Sequence, residues 1–410
     1  MIFVGVDWAE VHHDVCILNE EGDVLARKRI PDALAGVQQL HATIAEHLGE
    51  ENEPERVIVG IETERGLLVT ALVAAGYKVF AVNPLAASRY RERHHVSGAK
   101  SDPGDAKVLA DLVRTDRQNH REIAGDSVLS DAIKLLARNH QNTIWECQRQ
   151  VNTLRSALKD YYPGALEAFG TELSGPDAVA ILAIAPTPAK GRSLSKTRIE
   201  TALRKAGRRR LLEERVNRIH EILRREQLAQ PALLEDAYGV TTEATIANIA
   251  QLNASTAKLE ASLSTHFEQH PSAKVILSLP GMGTVLGARV LGEFGDDPNR
   301  YADAKSRKNY AGTSPVTKAS GKSRVVLARH SRNKRLASAL DQWAFSSLLQ
   351  SPGGRAYYDE LKSRDKHHRK AIRQLANRWV GILHGCLEND TPYDEAIAWS
   401  HHRQDAASCN

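Results

Sequence analysis

Over its first 110 residues the chain alternates β-rich runs with amphipathic ones, in an order that leaves few topologies open. Residues 2–6 (IFVGV) and 13–18 are short apolar runs. Residues 19–23 (NEEGD) carry turn chemistry, and 24–30 returns as a third strand. Leu34, Val37, Leu40 and Ile44 fall at helical spacing, which predicts a helix over 33–48. Residues 56–62 (RVIVGIE) read as a buried strand. Residues 67–75 read as a helix closed by Gly76, and 78–82 as a strand ended by Asn83-Pro84. Three hairpin-connected strands followed by helix, strand, helix and strand predict a mixed sheet covered by helices.

Acids sit at particular points of this pattern. Asp7 ends the first apolar run, where a carboxylate costs desolvation unless it is paired or bound to a cation. Glu62 ends the RVIVGIE run, with Glu64 two residues on as a competitor. Asp102 and Asp105 lie in KSDPGDA, where Asp102 suits an N-cap and Pro103 the first helical position. Three residues apart at a helix start, the two point to one side. Taken singly, Asp102 reads as a cap and Asp105 as a first-turn acid favoured by the helix dipole. If the two strands are adjacent, all four carboxylates converge and repel one another, and two divalent cations resolve the conflict. Mg²⁺ or Mn²⁺ takes all-oxygen ligands and keeps waters for chemistry. The element order is that of a ribonuclease H-like fold.

Beyond residue 126 the sequence becomes rich in Ala, Leu, Glu, Arg and Gln. Ile246, Ile249, Leu252, Leu259, Leu263 and Phe267 keep a roughly heptad spacing, which predicts long helices in a coiled-coil or bundle arrangement over 127–270. Gly175, Pro176, Pro186, Pro188 and Gly191 cluster within 174–195, which reads as a linker between helices. Residues 271–395 form a third, mostly helical unit and 396–410 a tail. In LPGMGTVLGARVLGEFGD (279–296), Gly281 and Gly283 flank one residue between two helical stretches, in the manner of a helix-hairpin-helix. Such a turn offers N–H groups to a phosphate, although a tight helix connection has the same sequence.

Charge is unevenly spread. Residues 1–60 hold 4 basic and 12 acidic residues, a net of −8, while 301–380 hold 18 and 5, a net of +13. A block that basic meets phosphate, and within it Lys366, Arg369 and Lys370 mark a phosphate-binding helix. The other reading is a solvated charged face. The histidine doublets 12–13, 94–95, 367–368 and 401–402 lack i, i+4 ligand spacing and read as surface or nucleic-acid contacts. Tyr357, Tyr358 and Trp379 read as core. Four distant cysteines without metal-ligand spacing, no 18-residue apolar run and an opening without a basic flank predict a cytoplasmic protein with no structural zinc and no membrane partner.

The chain resembles the Piv/MooV-like insertion-sequence transposases, the IS-one-ten family. The resemblance rests on GVDWA (5–9), VGIETERG (59–66), VFAVNP (79–84), KSDPGDAKVLADLVR (100–114), ILSLPGMGTVLGARVLGEFGD (276–296) and YAGTSPVTKASGKS (310–323). It implies a RuvC-like Asp-Glu-Asp-Asp catalytic domain over 1–126, with Asp7, Glu62, Asp102 and Asp105 as Mg²⁺ or Mn²⁺ ligands. It also implies a serine-containing transposase domain, whose Pro-x-x-x-x-Ser-Gly motif falls on Pro315, Ser320 and Gly321. Donor and target DNA, an element-encoded guide RNA, a homo-oligomer (dimer or tetramer) and a bacterial, nucleoid-associated setting follow from the same likeness. Two departures stand out. Glu62 is followed by the charged Thr-Glu-Arg-Gly, and the arginine-rich helical middle is longer than in compact members.

From the residues alone, Ser320 reads as a turn residue or phosphate contact. Gly321 allows close backbone approach, and Lys318, Lys322 and Arg324 offer positive charge to a phosphoryl group. The resemblance makes it a nucleophile. Two rivals are a RuvC-like resolvase, which needs the four acids and has no use for Ser320, and an actin-like kinase. The kinase wants Gly-Thr or Gly-Ser after its first aspartate, and here Trp8-Ala9-Glu10 follows.

Overall fold

The computed structural model describes residues 1–48, 53–94, 102–123, 125–321, 323–329 and 332–400, with the side chains of His94, Asp102 and Arg121 outside that description. The chain divides into two compact units, 1–125 and 126–410.

The first unit is a mixed α/β layer structure. Its strands are β1 (Ile2–Asp7), β2 (His12–Leu18), β3 (Val24–Pro31), β4 (Val57–Ile61), β5 (Lys78–Ala81) and the two-residue β6 (Arg121–Glu122), in the order β3-β2-β1-β4-β5-β6. β1 to β3 form an antiparallel meander, β1, β4 and β5 are parallel, and β6 closes the far edge antiparallel to β5. Helices α1 (Leu34–Leu48), α2 (Leu67–Ala74), α3 (Pro84–His94) and α4 (Asp102–Thr115) complete the unit. The elements expected before residue 83 are present within a residue or two of their ends. β6 is too short to leave a period in the sequence.

Alternation along the central strands sorts their side chains into two cores. Val4, Val6, Val59 and Ile61 join α1 and α2 on one face, whereas Phe3 and Ile58 join α4 on the other. On the α4 face the strands carry glycine where the helix crosses. A Cβ at Gly5 would lie 1.9 Å from the Ala106 carbonyl oxygen, and one at Gly60 2.6 Å from that of Leu109. We therefore expect Gly5→Ala to push α4 off the sheet and cost about 1–3 kcal/mol or more, read as a lower urea midpoint.

Among its described residues the second unit is helical except for one hairpin. Its helices are α5 (Val128–Tyr161), α6 (Pro163–Phe169), α7 (Pro176–Ile184), α8 (Pro188–Ser193), α9 (Lys196–Lys205), α10 (Leu212–Arg224), α11 (Ala232–Glu268), α12 (Ala273–Leu277), α13 (Thr284–Phe294) and α14 (Ala304–Ala311). The hairpin β7 (Val316–Ser320) and β8 (Ser323–Leu327) follows, then α15 (Lys334–Ser347), α16 (Pro352–Ser363), α17 (His368–Glu388) and α18 (Glu395–Ala398). The long α5 and α11 pack antiparallel. Ile133 and Ala137 share one core with Leu263 and Phe267, whereas Val151 and Leu154 share another with Ile246 and Ile249. Leu252 and Leu259, in the stretch between, are only half-buried.

The linker expected over 174–195 is instead two helices. Pro176 and Pro188 sit in the first helical turns of α7 and α8, where a missing N–H costs nothing, and Thr187 caps α8 by accepting from the Lys190 amide. Asp177 accepts from Arg208 and Arg215, which ties the arginine-rich turn before α10 to α7. His13 also departs from expectation: it is buried, accepting from the Ala9 amide at Nδ1 and bonded to Asp32 through Nε2. Trp379 is fully buried among Trp343, Tyr393 and Trp399, and Tyr357 and Tyr358 pack at the edge of that core. Among the described residues no helix is long and apolar enough to cross a membrane.

Candidate active site and nucleic-acid interface

Strand register sets two of the four acids side by side. In the parallel β1–β4 pair, Gly5 faces Gly60 and Val6 faces Ile61. One residue further on, Asp7 and Glu62 leave the same ends of neighbouring central strands, and by alternation both belong to the α4 face. Asp105 immediately precedes Ala106, the residue seated on Gly5, so the start of α4 brings it to the end of β1. Asp7 is half-buried, Glu62 exposed and Asp105 buried. The side chain of Asp102 lies outside the described residues; its backbone begins α4.

Two charges that the sequence does not mark complete this corner. Arg91 of α3 holds Asp105 with Nη2 at 2.5 Å from Oδ1, supplying there the positive charge that a buried carboxylate requires. Asp14 of β2 lies directly opposite Asp7 in the antiparallel register and is itself buried. Like charges in that position repel, and Arg29 neutralises Asp14 with Nε at 3.1 Å and Nη2 at 2.9 Å. A signal for Asp14 exists only once the hairpin is assumed: a tight turn after Asp7 places its partner seven residues on. Among the described residues no three His, Cys, Asp or Glu side chains gather closely enough to hold a metal ion. The donor set nevertheless suits a hard divalent cation in kind, because every group in it is a carboxylate.

Ser320 ends β7 at the tip of the hairpin. It pairs with Ser323 across a turn in which Gly321 takes φ +54°, a left-handed conformation that favours glycine. The hairpin is exposed almost throughout, and among the described residues the Ser320 hydroxyl has no hydrogen-bond partner. Lys318 shares its face of the ribbon. Arg324 pairs with Ala319 and so lies on the opposite face, which removes it from the charge expected around the serine. Lys322 lies outside the described residues.

The glycine turn between α12 and α13 serves packing first. Gly281 (φ +76°) donates its N–H to Gln350 Oε1 at 2.8 Å, and a Cβ there would lie 2.6 Å from the Ser347 nitrogen. Its amide is thus already used. Gly283 caps α13 with open space around it, leaving the helix N-terminus as the part of the turn suited to a phosphate. Lys366 is half-buried in the turn before α17, while Arg369 and Lys370 are exposed on its first turn. Lys305 and Lys334 add exposed positive charge elsewhere in this block.

A carboxylate-bearing α/β unit, joined in one chain to a helical unit with a strongly basic end, suits an enzyme that acts on nucleic acid, and sequence comparison makes its class that of the DNA transposases. One transposase family profile, of the DEDD type, matches residues 4–163, and that of the IS116/IS110/IS902 transposase family matches 273–359. The chain is 43% identical over 409 residues to the protein named for the IS117 mini-circle of Streptomyces coelicolor, covering 99% of this chain and 98% of that one. It is 26% identical to the 43.6 kDa protein of insertion element IS110 from the same organism, over 97% of this chain and 96% of that one. It is also 26% identical to the 42 kDa protein of IS900 from Mycobacterium paratuberculosis, over 96% and 98%. The chain belongs to the IS110 family of insertion-sequence transposases. Residues 164–272, which hold α7 to α11 and all of α6 but its first residue, fall between the two profiles.

Proposed function

We propose that this transposase cuts and rejoins DNA with a metal–carboxylate site and a serine nucleophile, guided by a noncoding RNA of its own element. The observation that carries the reading is backbone placement: Asp7 and Glu62 leave the same ends of the neighbouring strands β1 and β4, and Asp105 starts the helix that crosses them, in a chain that separately presents Ser320 on an exposed hairpin. Asp7, Glu62, Asp102 and Asp105 hold Mg²⁺ or Mn²⁺, which supplies Lewis-acid activation of a phosphoryl oxygen when bound. The α/β unit is read as ribonuclease H-like and the α5–α11 pair as a coiled-coil arm through which copies of the chain associate. Base pairing by the RNA reads sequence, while the protein supplies charge, shape and chemistry.

A second reading has one observation in its favour. The Ser320 hydroxyl lacks a hydrogen-bonded base among the described residues, as it would in a resolvase that hydrolyses branched DNA with the acids alone. The two part on one assay. Purified protein, given RNA transcribed from the flanks of its element, yields joined donor–target products in the first case and only nicked or cut DNA in the second.

The basic end has its own test. Affinity for duplex DNA falls linearly on a log–log salt plot, and replacing Lys366, Arg369 and Lys370 with Gln flattens the slope by up to about 2.7, near 0.9 for each phosphate no longer neutralised. An unchanged slope makes these groups a solvated surface.

A further inference from the structure

Between α15 and α17 a cavity of about 540 Å³ opens, within the range of small-molecule sites. Asp341 and Phe345, four residues apart on α15, form one wall, and Arg369 and Arg373, four apart on α17, the other. Arg332 also lines the cavity. Three features set the cleft apart from an ordinary charged surface. Among the described residues none of these three guanidinium groups makes an ion pair or hydrogen bond, although arginines elsewhere in the unit, such as Arg138, Arg208 and Arg300, are paired. Phe345 is 61% exposed, with the His368 ring edge-on to it at 6.5 Å. The single acid, Asp341, is raised from the usual carboxylate range by desolvation, against the pull of Arg332, Arg373 and Arg369.

An aromatic face, unpaired guanidinium groups and one carboxylate in a concave site match the parts of a nucleotide. Base stacking on an exposed ring is tolerant of sequence, arginine takes phosphate, and a carboxylate accepts from an exocyclic amino group. A duplex keeps its base faces covered, so only an unpaired base can meet Phe345. Resting on the nucleic-acid reading above and deepening it, we propose that this cleft holds one unstacked nucleotide of a single strand. Its base lies on Phe345, its amino group donates to Asp341, and its flanking phosphates lie on Arg369 and Arg373. The strand is DNA opened during exchange or a loop of RNA; the chemistry is shared.

The test uses the full chain and fluorescent 12-mers: dC12, rC12, dT12 and a blunt 12-base-pair duplex. Phe345→Ala is expected to weaken dC12 or rC12 binding about thirtyfold, mid-range for one base stack removed, while duplex affinity holds and Phe345→Tyr restores binding. Arg373→Gln lowers the single-strand salt slope by about 0.7. Asp341→Asn erases the preference for dC12 over dT12, since thymine has no exocyclic amine. Whichever of dC12 and rC12 binds tighter names the source strand. Because Phe345 is largely exposed, the variant's melting temperature should match the wild type. Single-strand affinity unchanged by Phe345→Ala, or weakened equally for the duplex, overturns the nucleotide cleft. The wider reading fails separately, only if the wild type shows no salt-dependent binding to any probe.

Discussion

Asp7→Asn is expected to remove DNA cleavage while leaving DNA affinity within about twofold, because the residue supplies no positive charge to the backbone-binding surface. Its size follows from position. Losing a group that merely orients a metal ligand costs 10–100-fold, so losing one of the four carboxylates proposed as ligands should cost more than about 100-fold. The same variant should respond less to metal. Mg²⁺ at a hundredfold excess over its Kd stabilises the protein that binds it by about 2.7 kcal/mol, visible as a rise in melting temperature. Asp7→Asn lacks a ligand and should show a smaller rise. Equal Mg²⁺ stabilisation of variant and wild type would show that the acids at the ends of β1 and β4 bind no ion. Arg91 adds a control: with its guanidinium on Asp105, Arg91→Ala leaves a buried carboxylate that a divalent cation can satisfy, and should enlarge the Mg²⁺ shift.

The α/β unit was legible because its signals are local. Period-two runs, a helical stripe at Leu34, Val37, Leu40 and Ile44, and Gly or Asn-Pro stops each fall within a few residues of their element. The meeting of Asp7 with Glu62 was legible too, since an acid at the end of each of two apolar runs becomes a pair once the strands are parallel neighbours. Partners supplied by other elements were hidden. Arg91 lies in a polar helix with no pattern to mark it, and its contact with Asp105 depends on how α3 meets α4. Proline misled in the opposite sense. Pro176 and Pro188 look like breaks in a one-dimensional reading, but at a first helical position they start helices. The nucleotide-sized cleft escaped because its two walls are contributed by helices whose facing residues lie some thirty positions apart, and neither i, i+4 pair means anything without the other.

Ser320→Ala should abolish recombination and, with it, any protein–DNA adduct trapped on denaturing gels, a loss of all detectable product. The reasoning begins with bond energy. Hydrolysis by an activated water discards the energy of the phosphodiester, whereas attack by a serine hydroxyl forms a phosphoserine ester, releases the 3′- or 5′-hydroxyl of the cut strand, and keeps that energy for rejoining. A serine without a bonded base is a poor nucleophile, so the hydroxyl needs its surroundings completed by substrate, metal or a second copy of the chain. An exposed hairpin tip suits that role better than a buried pocket does, since it can be presented to DNA held elsewhere. Ser320 lies 215 positions after Asp105, and a composite site made by two copies of the chain is the arrangement we favour. Mixing Asp7→Asn with Ser320→Ala protein tests it directly: recovered product from two inactive variants requires exchange between chains. Ser314→Ala and Ser323→Ala should retain activity, although Ser323 pairs with Ser320 across the hairpin. If Ser320→Ala still joins DNA, or the wild type never yields an adduct with a nicked suicide substrate, then the serine only contacts phosphate and the acids alone carry the chemistry.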